Sequence, residues 1–423
     1  MEILISESEI SGELLATSSK SYEQRVLAGA LLSKGECHIS NFGFSDDVVA
    51  ARKIIELLGS KSVIVANKLK TFSSNVLNDN IIDCNESAFC ARFFAPIACL
   101  FKNKFTITGT KTLLKRPVAS EFNIFELMGC KLLYDNDKLP VEFLNATLRR
   151  GKYIIDGSKT SQLVSGLIMA LPTVSGNSQI IIKKPKSVNY IFLTIEVLRK
   201  FGIFVDLSVD IENNIVIDII GDQKYNSGNF EIENDWSGAA FVLVAGALCG
   251  NISISGLNKN SIQADRKILE VFELAKVEYF WNEDVLYVCK SDVKAFDFDA
   301  NDCPDLIPSI VMLSLFAQGK TRIFGAERLI YKESSRGEVL LEELQKIGAK
   351  IEILGDMIEI TGQNEYFGAS LNSHGDHRIA MALAVAGLRI KEGVKIKNSE
   401  TINKSYPNFF DDLRKLNASI SNL

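Results

Sequence analysis

One pattern recurs along the chain and restricts its fold more than any other feature: an amphipathic helix, a glycine or a substitute for it, then a short strand. It appears as Ile54-Ile55-Glu56-Leu57-Leu58-Gly59 before Ser62-Val63-Ile64-Val65, and as Phe125-Glu126-Leu127-Met128-Gly129 before Lys131-Leu132-Leu133-Tyr134. Later copies run through Gly202 into Ile203-Phe204-Val205, through Lys276 into Val277-Glu278-Tyr279, through Gly348 into Lys350-Ile351-Glu352-Ile353, and through Asn417 into Ala418-Ser419-Ile420. The residue past a helix end often takes a left-handed conformation, which Gly tolerates best and Asn next. Lys276 breaks that rule, so its copy is the weakest. The anchors fall about 70 residues apart, and six such units account for the chain. The expected architecture is α/β, with the repeats divided three and three between two domains. A polar link near Glu231 to Asp235, ahead of the apolar run from Ala239, separates the halves. The first strand, Glu2 to Ile5, precedes the first repeat's helix and could belong to either half.

With 47% hydrophobic residues, a chain of 423 can fill two cores. Net charge is −5, so there is no overall basic signal for nucleic acid, and anionic ligands must be drawn by local clusters of Lys and Arg. The eight cysteines include no C-x-x-C pair, which fits thiols kept reduced in a cytoplasm. Met1 to Glu7 lacks a basic start and a long apolar core, so no signal peptide is expected. Apolar runs such as Ala239 to Leu248 are too short to span a bilayer. No P-loop, dinucleotide fingerprint or G-x-S-x-G element occurs. His374-Gly375-Asp376-His377 offers two histidines and a carboxylate but no evident third ligand, so no metal is expected.

Cations gather at helix starts. Lys332-Glu333-Ser334-Ser335-Arg336 leads into the amphipathic run Glu338-Val339-Leu340-Leu341. Free backbone N–H groups and the positive dipole end favour anions there, and a carboxylate set among cations suits chemistry on a phosphorylated, carboxylated substrate. In isolation, a solvated charged helix start would look the same. Thr17-Ser18-Ser19-Lys20-Ser21 places Lys20, Ser21 and Arg25 in the first turns of a helix that hydroxyls can cap. Asp156 to Gln162 and Lys186 to Tyr190 lead into further helices, where capping and phosphate binding are both open. Asp305, ahead of Ile310-Val311-Met312-Leu313, reads locally as a cap, and Ser45-Asp46-Asp47 as an ordinary acidic helix start without function. Arg92 stands amid Phe89, Phe93 and Phe94 and needs either a carboxylate or a ligand.

Taken together, Lys20-Ser21-x-x-x-Arg25, Arg116-Pro117, Ser161-Gln162, Pro304-Asp305, Lys332-Glu333-x-x-Arg336, Asp376-His377-Arg378 and Lys404-Ser405-Tyr406-Pro407 resemble the 5-enolpyruvylshikimate-3-phosphate (EPSP) synthase family, in the same order from about Thr17 to Phe410. The resemblance implies two inverse α/β barrel domains, each of three βαβαββ repeats. It places 18–232 in the first domain and 1–17 with 233–423 in the second, with the active site in the cleft between them. It implies transfer of the enolpyruvyl group of phosphoenolpyruvate to the 5-hydroxyl of shikimate 3-phosphate, with release of phosphate and no cofactor. Lys20, Ser21, Arg25, Thr160, Ser161, Gln162, Ser187, Tyr190, Asp305 and Lys332 would hold shikimate 3-phosphate. Lys20, Ala88, Arg116, Gln162, Arg336, Arg378 and Lys404 would hold phosphoenolpyruvate, whose carboxylate and phosphate suit bidentate arginines. Asp305 would be the base on the hydroxyl. Glu333 would move the proton at the methylene carbon with help from Lys20 and Lys404, and His377 would be structural or orienting rather than a nucleophile. A cytoplasmic monomer working on small molecules, without nucleic-acid or membrane partners, is expected.

The sequence departs from the family pattern before Arg92, where Glu86-Ser87-Ala88-Phe89 replaces an N-x-G-T-type run. Ala88 stands where a glycine lets the backbone approach phosphoenolpyruvate, which implies tolerance of the longer inhibitor glyphosate. Phe89 replaces a small polar residue, and Thr160 a serine. Two alternatives remain: a UDP-N-acetylglucosamine enolpyruvyl transferase, although no cysteine lies near Arg116, and a non-catalytic anion-binding homologue.

Overall fold

A computed structural model describes residues 1–330 and 332–423. The chain forms two compact units, one of Ser18–Glu233 and one of Met1–Thr17 with Asn234–Leu423. The described strands make six four-stranded sheets, three within each unit. All six share one plan. Lys152–Asp156 pairs parallel with Ser178–Lys183, which pairs antiparallel with Ile215–Ile219, which pairs antiparallel with the outer strand Val205–Val209. Helix Gln162–Ala170 connects the parallel pair, since parallel neighbours need a crossover.

Two sheets are closed by strands distant in sequence. Asn229–Glu231 pairs with Cys37–Ser40, and Ile10–Leu15 pairs with Gly250–Ser255. Gly250 permits the second pairing, because a β-carbon there would stand 1.7 Å from the Ile10 carbonyl oxygen. Glu2–Ile5 pairs with Val394–Lys397 and Ile420–Asn422, which assigns the first strand to the unit that holds Asn234–Leu423. Within Ser18–Glu233 the two ends meet, the Ser19 N–H donating to the Glu233 carbonyl at 2.8 Å. Within the other unit, the Asp235 N–H donates to the Thr17 carbonyl at 2.7 Å.

The repeat anchors all take positive φ: Gly59 at 108°, Gly129 at 98°, Gly202 at 76°, Lys276 at 59°, Gly348 at 87° and Asn417 at 71°. Lys276 thus adopts the turn despite its side chain, and its copy is regular. Three of the strands begin later than the apolar pattern suggests, at Val205, Tyr279 and Ile420. The helices form the cores. Trp236–Cys249 is apolar all round and buried along nearly its whole length, its first turn capped by Asp235 accepting from the N–H groups of Ser237 and Gly238. Such a cap contributes about 1 kcal/mol. Among the described residues, no helix is long and apolar enough to cross a membrane.

Candidate functional site

In the unit that carries Asn234–Leu423, the sequence-marked residues converge on Arg336, the first residue of helix Arg336–Lys346. A cation is poorly placed at a helix N-terminus, and three carboxylates offset this. Its Nε donates to Asp376 Oδ2 at 2.7 Å, its Nη1 to Asp305 Oδ1 at 2.7 Å, and its Nη2 to Glu333. Burial works against this cation, but Asp376, Glu333 and Asp305 more than compensate, so the guanidinium is held more firmly charged than usual. Asp376 is fully buried and caps helix His377–Gly387 by accepting from the Arg378 N–H. One aspartate therefore fixes two helix starts.

Asp305 lies in the short turn Pro304–Leu306, within reach of three cations. Lys332 Nζ stands 3.1 Å from Oδ1, Arg378 Nη2 stands 3.5 Å from Oδ2, and Arg336 completes the set. Arg378 Nη1 also donates to the Asp305 carbonyl at 3.0 Å. Burial alone would raise this carboxyl; Arg378, Lys332 and Arg336 overcome it and hold Asp305 well below the usual carboxylate range. Burial likewise lowers the Lys332 ammonium, against the pull of Asp305. Lys404 reaches the same neighbourhood, its Nζ donating to the Gly375 carbonyl beside Asp376 at 3.0 Å. The histidines separate. His374 bonds Glu343 at 2.6 Å, while the buried His377 ring lies 3.9 Å from Asp376.

In Ser18–Glu233, helix Lys20–Ser33 presents Lys20, Ser21 and Arg25. Lys20 Nζ pairs with Asp47 Oδ2 at 2.9 Å, so the acidic start Asp46–Asp47, read from sequence as functionless, anchors a site cation. Arg25 is 1% exposed, yet no carboxylate pairs with it among the described residues. Its guanidinium donates to the Thr194 and Ser165 hydroxyls and to the Ser21 and Tyr190 carbonyls. The rings of Phe89, Phe93 and Tyr190 lie 5.0, 5.8 and 5.8 Å from its Cζ. Burial lowers it to about 9. Phe89, the residue that departs from the small polar pattern, thus faces a cation, an interaction of about 0.5–2 kcal/mol. A buried cation served only by neutral groups is poised for an anion.

Arg92 is resolved in favour of a carboxylate. It forms a fork with Glu121 at 2.7 and 2.8 Å. Its Nη1 also donates to Gln162 Oε1 at 3.2 Å, which leaves the Gln162 amide N–H groups for another acceptor. Gly166 makes this possible, since helix Gln162–Ala170 packs against Ala88–Ala98 where a β-carbon would stand 2.2 Å from the Phe93 carbonyl oxygen. Thr160 accepts from the Gln162 N–H, and Ser161 is buried at the helix start. Ser187 precedes helix Val188–Lys200 at φ 54°, with Tyr190 in its first turn. Ala88, 4% exposed, opens its helix behind Ser87, whose hydroxyl accepts from the Cys90 N–H. Arg116 follows the turn Leu113–Lys115, half exposed.

Four contributors escaped the sequence reading as site members: Asp47, Glu121, Asp265 and the structural role of Asp376. Asp265, 1% exposed, lies 3.8 Å from Arg378 and accepts from the Ser237 hydroxyl. Burial pushes it up to about 7, against the opposing effect of Arg378. Asp376 and Asp47 had a local signal, each as an acidic residue at a helix start, while Glu121 and Asp265 had none.

Both halves of the chain therefore present cations, carboxylates and hydroxyls at helix starts, a chemistry suited to polyanions and proton transfer. The family described as EPSP synthase (3-phosphoshikimate 1-carboxyvinyltransferase) matches residues 5–413. A 3-phosphoshikimate 1-carboxyvinyltransferase of Clostridium perfringens is 36% identical over 98% of both chains. One of Brachyspira hyodysenteriae is 35% identical, covering 99% of this chain and 100% of its own. In three dimensions the chain resembles EPSP synthase from Acinetobacter baumannii at a TM-score of 0.81 and 21% identity, with both chains fully covered. It also resembles the enolpyruvyl transferase NikO from Streptomyces tendae at 0.80 and 15%, covering 99% of this chain and 98% of that one. The fold is the α/β plan of those structures, and the chain belongs to the EPSP synthase (3-phosphoshikimate 1-carboxyvinyltransferase) family.

Proposed function

We propose that this enzyme transfers the enolpyruvyl group of phosphoenolpyruvate to the 5-hydroxyl of shikimate 3-phosphate and releases phosphate. The observation that supports it most is the grouping of Asp305, Lys332, Glu333, Arg336 and Arg378. In this reading Lys332 and Asp305 hold the acceptor together with Ser21, Arg25, Thr160, Ser161, Gln162, Ser187 and Tyr190. Arg336, Arg378 and Lys404 hold the donor with Lys20, Ala88, Arg116 and Gln162, so both residue sets act on one pair of substrates. Asp305 takes the proton of the 5-hydroxyl as its oxygen attacks the central carbon of the donor. Glu333, with Lys20 and Lys404, delivers a proton to the methylene carbon and later removes one as phosphate leaves. Two of the three cations that keep Asp305 ionised, Arg336 and Arg378, are also assigned to the donor. When the donor's anionic groups share them, Asp305 becomes a stronger base. The enzyme is proposed to work as a cytoplasmic monomer.

Phosphate release from phosphoenolpyruvate, measured with each acceptor separately, tests the reading. Release is expected with shikimate 3-phosphate; release only with UDP-N-acetylglucosamine, or none at all, overturns it. Ala88 gives a second test. We expect Ala88→Gly to lower the inhibition constant of glyphosate by about 10- to 200-fold, the worth of one methyl group in a tight pocket. Its KM for phosphoenolpyruvate should change far less. An unchanged inhibition constant would exclude Ala88 as the source of tolerance.

A further inference from the structure

Asp265 has no part in the reaction as described, yet it is the least comfortable carboxylate near the site. It sits in the turn Ala264–Lys267, 1% exposed. Its Oδ1 is buried without a hydrogen-bond partner among the described residues, while its Oδ2 accepts from Ser237. The cation paired with it, Arg378, stands 3.8 Å away, long for an ion pair, and also serves Asp305 at 3.5 Å. A lone pair left bare in the interior destabilises the ionised form, and a proton on that oxygen removes the charge.

We propose that Asp265 is a positioning residue that stores a proton for Arg378: it takes one up from solvent when phosphoenolpyruvate engages Arg378, and returns it when the anion leaves. This rests on the assignment of Arg378 to the donor. The groups facing Asp265 set the direction. Ser237, in the first turn of helix Trp236–Cys249, and Arg378, on helix His377–Gly387, favour the carboxylate. Asp235, which caps the former helix, and Asp305 oppose it with like charge, and the buried thiol of Cys303 adds no charge. These influences and burial leave Asp265 near 7, where a small change of field moves the proton. An arriving carboxylate or phosphate adds negative charge and draws on the field of Arg378. Both effects push Asp265 further up, so the linked event is uptake. The uptake is confined to a window: well below 7 the group already carries its proton, and at sufficiently high pH neither state does. Neutralising Asp265 leaves Arg378 shared with Asp305 alone, so that more of its charge is turned to the substrate.

Calorimetric titration of phosphoenolpyruvate into the enzyme without the acceptor, so that no turnover occurs, in buffers of different ionisation enthalpy, reads the proton directly. At pH near 7 and just above, the wild type should take up a substantial fraction of one proton. Asp265→Asn should bind with that uptake lost. Ser237→Ala, which removes the hydroxyl that favours the ionised form, should shift the uptake window to higher pH. Binding heat that does not depend on buffer overturns the proposal alone, as does undiminished uptake in Asp265→Asn. If Asp265→Asn does not fold, an unmoved window in Ser237→Ala decides against it. Absence of phosphoenolpyruvate binding to the wild type removes the donor assignment and this proposal with it.

Discussion

Replacing Arg336 with Met should abolish turnover and lower the melting temperature together. The side chain is 1% exposed and bonds Asp376, Asp305 and Glu333, of which Asp376 is fully buried. Removing the cation leaves three carboxylates facing one another, and loss of one partner from a buried ionic network costs about 3–5 kcal/mol. The pH dependence has a definite sign. Asp305 is depressed in the folded state, so its contribution to stability is present above the unfolded carboxylate value of about 3.9 and is lost as pH falls through the folded value. Without Arg336 that contribution shrinks. The stability gap between variant and wild type should therefore be widest near neutral pH and narrow in acid. Denaturant unfolding at several pH values checks this, and a gap that grows in acid would contradict the arrangement. Arg336→Lys keeps the charge but not the fork, and should recover stability more than activity.

Glu333→Gln should act on rate alone. A glutamine oxygen can still accept from Arg336 Nη2, so the fold should melt near the wild-type temperature. Loss of a proton carrier in the transition state typically costs about 10²- to 10⁴-fold in kcat. The KM values for both substrates should change little by comparison. In heavy water, deuterium should no longer enter the methylene group at the wild-type rate. Near-normal turnover in this variant would remove Glu333 from the proton path and leave it as a brace for Arg336.

Local chemistry explains what could be read in advance. A helix start needs a cap and a helix end needs a left-handed turn, and both needs are written in adjacent residues. Gly59, Gly129, Gly202, Gly348 and Asn417 could thus be found by inspection, and each has positive φ. Lys276 was the exception, since it takes the same left-handed turn at φ 59° although nothing in its side chain favours it. Lys332, Glu333 and Arg336 were visible for the same local reason. The Lys20–Asp47, Arg92–Glu121 and Arg378–Asp265 pairs were not, since each joins residues on different elements, the last pair in different repeats, that meet only through the packing of the strands and helices. Gly166 shows the same limit. It reads as a mildly unfavourable helix residue, yet its lack of a side chain brings Arg92 to Gln162.

The meeting of Ser19 with Glu233 bears on the order of assembly. Strand Ile10–Leu15 must wait for Gly250–Ser255, a long loop whose closure is entropically costly while it is disordered. Once Ser18–Glu233 has folded, its own ends are tied together by the Ser19 to Glu233 bond, and the intervening chain acts as a loop of only a few residues. The inserted unit is therefore expected to form early and so to shorten the loop that strands Ile10–Leu15 and Gly250–Ser255 must close to pair.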